Sequence, residues 1–237
     1  MKILKEFSRF ADEYTKHNII QSEVASRLTS MLTRKKYAKV LDLGSGAGSV
    51  YENFLEKDIK VDKFVAFDFS NEMLILHPSG QNVQKRCADF NEKNSFSDYT
   101  PHEFNLLISA SALQWSDDLS AVLSSISSLA SEYYFAFFTS NTFSTLHQTA
   151  GIHSPIYSKE DIVETLTKFY SFEIEEVNYR LDFSSVQEMF RYIKKSGVSG
   201  GSGQLSYSEM KRLMKNYPLD YLEFEVIFVK AFRKKFD

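Results

Sequence analysis

The sequence has few of the features that are typical of secreted and membrane proteins, namely cysteine pairs and long apolar runs. It contains a single cysteine, Cys87, which excludes an internal disulfide and fits a reducing compartment. No apolar run approaches the roughly 20 residues that a membrane-spanning helix needs. The N-terminal stretch has no apolar segment of a secretory signal. We therefore expect a cytoplasmic protein that has no membrane partner.

A strong excess of one charge is also missing. The formal net charge of −3 argues against a dedicated nucleic-acid binder. Hydrophobic residues make up 43% of the chain and charged residues 25%, which is typical of a soluble globular protein. The 21 phenylalanines and 13 tyrosines can fill a core and line an apolar pocket. At 237 residues, with no internal repeat or long linker, we expect a single domain and a monomer.

From Val40 onwards, short apolar runs alternate with helical stretches. Strands that are apolar at nearly every position are typical of a parallel sheet covered on both faces. The alternation predicts a doubly wound, mostly parallel α/β sheet, and two later runs bring it to seven strands. The predicted strands are KVLDLG, KFVAFDF, NVQKRCADF, EFNLLISA, EYYFAFFTS, FEIEEVNYRLDF and DYLEFEVIFVKAFRKK.

Two helical segments lie outside this alternation. Apolar residues at helical spacing predict an N-terminal arm over residues 1–33, with a break near His17. A second helical segment, residues 184–216, separates the last two predicted strands, and we expect it near the substrate. The motifs SKED and SYSE resemble capping boxes that open helices at Ser158 and Ser206.

The most specific motif is KVLDLGSGAGSV, residues 39–50. Three of the nine glycines fall within five residues after an apolar run, which predicts a strand that turns sharply beneath a nucleotide-like ligand. A dinucleotide fingerprint would need glycine in place of Ser49, and a P-loop would need a lysine after Gly48. The pattern that remains is G-x-G-x-G, preceded by Asp42.

Acidic residues end the next two predicted strands. Asp68 lies where a carboxylate can accept hydrogen bonds from a ribose diol, and Asp89 where one can meet an adenine amino group. Together with Asp42, they would repel a pyrophosphate and tolerate a sulfonium-bearing amino acid. S-Adenosylmethionine is therefore favoured over NAD. The alternative for Asp68 and Asp89 is a helix-capping or solvated role.

The motifs LDLGSGAG, AFDFSNEML, CADF and LLISASALQW, in this order, resemble the class I S-adenosylmethionine-dependent methyltransferases. Three further stretches, FSRFADEYTKHNIIQSEVASRL, SALQWSDDLSAVL and NYPLDYLEF, resemble the malonyl-carrier-protein O-methyltransferases of biotin synthesis. The resemblance covers nearly the whole chain. It implies methyl transfer to the free carboxylate of a malonyl thioester on acyl carrier protein. Another methyltransferase acting on a small acid or other small molecule, or a non-catalytic binding module, is the alternative.

The resemblance also implies roles for individual residues. Tyr14 would face the reacting methyl group as the catalytic residue, and together with Gln114 and Trp115 it would contact the substrate. Packing is the alternative role for Tyr14 and Trp115. The family's usual cysteine is Ser45 here, and the arginine expected before the fifth strand is missing. The implied cofactor contacts are Gln21, Asp42, Gly44, Ser45, Gly46, Gly48, Asp68, Phe69, Met73, Asp89, Phe90 and Ser109.

The second helical segment is basic. In residues 187–216, six Lys/Arg residues oppose two acids, a local charge of +4 within a chain of −3. Because carrier proteins are acidic, we expect this surface to dock the carrier; an ordinary solvated helix face is the alternative. The predicted docking residues are Arg191, Lys194, Lys195, Lys211 and Arg212. The histidines have no metal-ligand spacing, with His147 and His153 in a predicted loop, so no metal is expected.

Overall fold

The seven strands form one sheet in the order β3-β2-β1-β4-β5-β7-β6. The structure, a computed structural model, describes residues 18–196 and 206–234. Strands β1 to β5 pair in parallel, and β7 runs antiparallel to both β5 and β6. The predicted fold class is therefore confirmed. The strands are β1 Lys36–Leu43, β2 Lys60–Asp68, β3 Val83–Cys87, β4 Phe104–Ala110, β5 Ala130–Phe138, β6 Tyr170–Asp182 and β7 Tyr221–Arg233.

Helices cover both faces of the sheet. Alternate residues of β5 show why both faces are apolar: Tyr134, Ala136 and Phe138 join one core cluster, while Tyr133 and Phe135 join the other. The described helices are α1 Ile19–Ser30, α2 Ser49–Glu56, α3 Asn71–Leu76, α4 Leu119–Ile126, α5 Ser144–Ala150, α6 Lys159–Phe169, α7 Val186–Ser196 and α8 Tyr207–Asn216, with a 3₁₀ turn at Leu113–Trp115. None of these helices is long and apolar enough to cross a membrane.

The strand order places a topological switch between β1 and β4. From β1 the chain moves outward through β2 and β3, and then returns to the other side of β1 as β4. Open α/β sheets bind ligands at the carboxyl ends of their strands at such a point. The glycine loop follows β1 there, and the ALQW segment follows β4.

Helices α7 and α8 lie between β6 and β7, within the segment 184–216 that is predicted as helical, and residues 197–205 of that segment lie outside the described chain. Both expected capping boxes are present: Ser206 with Glu209 opens α8, and Ser158 with Asp161 opens α6. The N-terminal arm is described only from residue 18, so residues 1–17 of that prediction lie outside the described chain.

Several details differ from the sequence prediction. Strand β3 ends at Cys87, so Asp89 lies two residues beyond it, and β5 begins at Ala130, earlier than expected. The stretch that was predicted as a loop around His147 contains α5. Its first-turn N–H at Thr145 donates to Glu223 on β7, 3.0 Å away. Because that partner is distant in the chain, no local capping signal marks the helix.

Candidate active site

The glycine loop turns tightly over the end of β2. The N–H groups of Gly44 and Ser45 both donate to the carbonyl oxygen of Phe67, at 2.8 and 3.0 Å. Gly44 has φ +74°, and a Cβ added to it would lie 2.2 Å from the Cβ of Ala112. Glycine is required there both for the left-handed backbone and for the close approach of the turn after β4.

The loop ends where α2 begins. Gly48 has φ +101°, and a Cβ added to it would meet the Cδ of Pro78 at 2.5 Å and the ring of His77 at 3.0 Å. The carbonyl oxygen of Gly48 accepts the N–H of Glu52 in the first turn of the helix. His77 is buried, and burial lowers the pKa of its imidazole. Pro78 and His77 therefore pack so closely against the loop that there is no room for a side chain at position 48.

Asp68 joins the loops that follow β1 and β2. Its Oδ2 accepts the N–H of Gly46 at 2.8 Å, and its Oδ1 accepts the N–H of Ser70 at 2.9 Å. Burial raises the pKa of this carboxyl to about 6, against the lowering effect of the backbone N–H groups of Ser70 and Gly46. A carboxylate has about four acceptor positions, so the two bonds leave acceptor capacity for ligand hydroxyls.

Asp42 is fully buried at the end of β1. Within residues 18–196 and 206–234, neither of its carboxylate oxygens has a hydrogen-bond partner. Burial and then the charge of Asp68 raise the pKa of Asp42 well above its usual range. The hydroxyl of Ser45 is likewise buried without a partner in that part of the chain. Buried polar groups are costly when unpaired, so these residues fit a cofactor that brings donors and positive charge, as S-adenosylmethionine does.

The predicted adenine contacts gather at the ends of β2 and β3. Met73 is buried, and its Cε lies 3.5 Å from the position of a Cβ on Gly46. Phe69 and Phe90 are half-buried. The Oδ1 of Asp89 accepts both the N–H and the side-chain amide of Asn91. These bonds belong to a local turn, since no helix begins in the described residues between β3 and β4, and the contact of Asp89 with adenine stays a prediction.

The end of β4 carries Ser109, a predicted cofactor contact, and the turn after it carries Gln114 and Trp115, the predicted substrate contacts. The hydroxyl of Ser109 donates to the carbonyl oxygen of Leu43 at 2.7 Å and so ties β4 to the end of β1. Gln114 is only 2% exposed, and its Nε2 donates to the carbonyl oxygen of Ser111 at 2.8 Å. The Oε1 of Gln114 is buried with no partner in the described chain. Trp115 is half-buried, intermediate between a core residue and a surface residue.

The other predicted residues lie near the N-terminus and in the segment between β6 and β7. Gln21 lies in α1, and its Oε1 is buried with no partner among the residues that the structure describes. Tyr14 lies outside those residues, as do the side chains of Lys194 and Lys195. The remaining docking residues, Arg191, Lys211 and Arg212, are exposed on α7 and α8.

Sequence reasoning missed Tyr157. Its hydroxyl contacts Ser116 and Leu119, both in the segment that follows Gln114 and Trp115. These partners lie 41 and 38 residues away in the chain, so no local pattern connects them.

Comparison with known proteins agrees with this geometry. Residues 41–131 match the family model described as a methyltransferase domain. A malonyl-[acyl-carrier protein] O-methyltransferase from Chlorobium luteolum is 27% identical over 210 residues, which cover 83% of this chain and 78% of that protein. The enzyme of the same name from Chlorobium phaeovibrioides is 27% identical over 230 residues, 92% of this chain and 87% of that protein.

Solved structures share the fold. A putative methyltransferase from Bacillus halodurans superposes with a TM-score of 0.65 at 15% identity, covering 90% of this chain and all of that one. The expected enzyme class agrees with the matched family model and with the names of these relatives. The chain therefore has the class I methyltransferase fold, matches a methyltransferase domain over residues 41–131 and is similar over most of its length to malonyl-[acyl-carrier protein] O-methyltransferases.

Proposed function

We propose that the protein transfers a methyl group from S-adenosylmethionine to the free carboxylate of a malonyl thioester on acyl carrier protein, an early step of biotin synthesis. One observation carries the proposal. The similarity to enzymes of that name extends over 92% of the chain, far beyond the methyltransferase domain of residues 41–131. The similarity therefore includes most of the chain outside that domain.

The glycine loop and the acids around it would hold the cofactor. The tight turn at Gly44 to Gly48 would admit it close to the backbone, Asp68 would accept its ribose hydroxyls, and Asp42 would balance its positive charge. When bound, S-adenosylmethionine supplies a methyl group whose C–S bond breaks as a C–O bond forms, leaving a neutral thioether and a methyl ester.

The reaction requires no general base. A substrate carboxylate has a pKa of about 4 and is ionised at neutral pH, so no proton has to be removed from the attacking oxygen. The protein would contribute alignment of the carboxylate with the methyl group and exclusion of water. We assign the alignment to the turn that carries Gln114 and Trp115, and to Tyr14 in the arm.

The carrier would dock on α7 and α8. A groove of about 580 Å³ between the two helices has Val186, Met210 and Met214 in its lining, with Lys211 and Lys215 beside them. An apolar groove with a basic rim is complementary to an acidic carrier, and the charges would steer its approach. We assign the steering to Arg191, Lys194, Lys195, Lys211 and Arg212. We further propose that the protein is a cytoplasmic monomer and that it binds neither nucleic acid nor a membrane.

The direct test is incubation with labelled S-adenosylmethionine and malonyl-carrier protein, read by mass spectrometry. We expect one methyl ester on the malonyl group. Acetyl-carrier protein is the matched control, because it has the same thioester without a free carboxylate, and it should take up no label. Binding of the cofactor without transfer to malonyl-carrier protein would contradict the proposed substrate.

The docking surface is tested separately. The double variant Lys211→Glu, Arg212→Glu should raise KM for malonyl-carrier protein and leave free malonyl-CoA unaffected. Lys63→Glu, a charge reversal at an exposed position on β2, is the matched control. Equal effects of the double variant on both substrates would remove the docking role and leave the methyl-transfer proposal standing.

A further inference from the structure

Ser111 has a backbone conformation that few residues other than glycine adopt. Its φ is +60°, in the left-handed region. The backbone is held on both sides, since its N–H donates to the carbonyl oxygen of Ala136 on β5 at 2.9 Å and its own carbonyl oxygen accepts the Nε2 of Gln114 at 2.8 Å. The conformation is therefore held by one long-range contact, to β5, and one local contact, to Gln114.

Ser111 lies at the topological switch of the sheet. The next residue, Ala112, is the one that a Cβ on Gly44 would strike. Two residues earlier, Ser109 is bonded to the carbonyl oxygen of Leu43 at the end of β1. Ser111 is thus fixed among the carboxyl ends of β1, β4 and β5, on the same turn as Gln114.

The hydroxyl of Ser111 is shielded from solvent and has no hydrogen-bond partner anywhere in residues 18–196 and 206–234. The Oε1 of Gln114, three residues later, is in the same state. Buried polar atoms are paired in the great majority of cases. A left-handed serine and two unpaired polar atoms on one short turn are each unfavourable for folding, and such features cluster where a ligand is bound.

We propose that Ser111 is a substrate-binding residue whose hydroxyl donates a hydrogen bond to the carboxylate of the acyl substrate. This inference rests on the proposed function and supplies a residue for the role that the missing arginine leaves open. A neutral hydroxyl orients one carboxylate oxygen without protonating it and leaves the lone pairs of the other free to accept the methyl group. Rotation about χ1 moves the hydroxyl among staggered positions, so it can meet the ligand without backbone movement.

Two variants separate the hydroxyl from the backbone. Ser111→Ala removes the hydroxyl and keeps the strained φ, whereas Ser111→Gly removes both. We expect each variant to lower kcat/KM for malonyl-carrier protein roughly tenfold to hundredfold, the range for a hydrogen bond to a charged group. The affinity for S-adenosylhomocysteine should stay within about twofold of wild type, since one hydroxyl contact to the substrate does not touch the cofactor.

The second measurement is of substrate binding, which does not depend on turnover. Calorimetric titration of malonyl-carrier protein into the protein saturated with S-adenosylhomocysteine should show weaker binding for both variants. Ser111→Gly should melt at a higher temperature than Ser111→Ala, because glycine adopts the left-handed region freely. The Ser111→Gly variant can therefore be measured even if Ser111→Ala is unstable.

Two control variants separate the effect of relieving backbone strain from the effect of losing a hydroxyl. His102→Gly relieves another left-handed residue, φ +58°, and should raise the melting temperature without changing activity. Ser97→Ala removes an exposed hydroxyl and should be silent. Wild-type turnover in Ser111→Gly, or loss of S-adenosylhomocysteine affinity in both variants, would overturn the inference. Absence of methyl transfer by the wild-type protein would instead overturn the proposed function.

Discussion

The hydroxyl of Tyr157 donates a hydrogen bond to the carbonyl oxygen of Ser116, 2.8 Å away, and accepts one from the N–H of Leu119 at 3.2 Å. The carbonyl oxygen of Tyr157 in turn accepts the N–H of Ser140 at 2.9 Å. One residue thus connects the segment after β4 with the loop after β5. Both segments follow the carboxyl ends of strands, so Tyr157 fixes one rim of the candidate active site.

Removal of that hydroxyl should loosen the turn that carries Gln114 and Trp115. Tyr157→Phe loses two hydrogen bonds, for which we expect about 1–3 kcal/mol of destabilisation. Turnover of malonyl-carrier protein should fall, with the affinity for S-adenosylhomocysteine unchanged. Tyr51→Phe is the matched control, because the Tyr51 hydroxyl bonds Asn82 away from this turn, at 3.1 Å. A Tyr157→Phe variant with full turnover would show that the connection serves stability alone.

Gly44→Ala should be much more harmful than alanine at another left-handed glycine. Its added Cβ meets Ala112 at 2.2 Å, whereas a Cβ at Gly151, φ +67°, meets nothing within 4 Å. Left-handed strain alone costs about 1–2 kcal/mol, and overpacking adds about 1–3 kcal/mol. Denaturant melts of Gly44→Ala and Gly151→Ala measure the difference. Adding Ala112→Gly to Gly44→Ala should restore the steric part; no restoration would contradict the contact.

Cofactor affinity should depend on pH through Asp68. Burial raises the pKa of this carboxyl to about 6, and only the ionised form is a full acceptor for ribose hydroxyls. Binding of S-adenosylhomocysteine should therefore weaken as pH falls below about 6, by up to tenfold per pH unit. Calorimetry between pH 5 and 8 measures this change in affinity. Asp68→Asn should bind weakly and independently of pH in this range.

The same carboxyl affects the ligand-free protein with the opposite sign. Its folded pKa of about 6 lies above the usual 3.8, so the folded state binds more protons between these values. Its contribution to the free energy of unfolding is therefore present below pH 3.8 and is lost as pH rises through about 6. A comparison of wild type with Asp68→Asn by urea unfolding at pH 4 and pH 7 isolates this contribution from that of the other acids.

Neutralising Asp42 should stabilise the ligand-free protein and weaken cofactor binding. Burial and the charge of Asp68 raise the pKa of Asp42, so its ionised form is unfavourable in the absence of a cation. Asp42→Asn should stabilise the ligand-free protein by about 1–3 kcal/mol and weaken cofactor binding. Asp62→Asn, at an exposed position on β2, is the control. Destabilisation of Asp42→Asn would mean that the carboxylate has a stabilising partner.

The sequence predicted the features that depend on neighbouring residues. The Gly44 to Gly48 spacing, the capping boxes at Ser158 and Ser206, and the apolar strands are each encoded within a few positions, because turns, caps and strand burial are local patterns. These features, with the three acids, were sufficient to predict the fold class and to favour S-adenosylmethionine as the cofactor.

Only the tertiary structure decided the features that join distant segments. Helix α5 takes its first-turn acceptor from Glu223, the segment after β4 is held by Tyr157, and the left-handed Ser111 is bonded to Ala136 on β5. The glycine motif singles out Asp42 in the sequence, but its raised pKa comes from burial and from Asp68 on the next strand. Burial and long-range contacts depend on how the strands are ordered in the sheet, which no local pattern records.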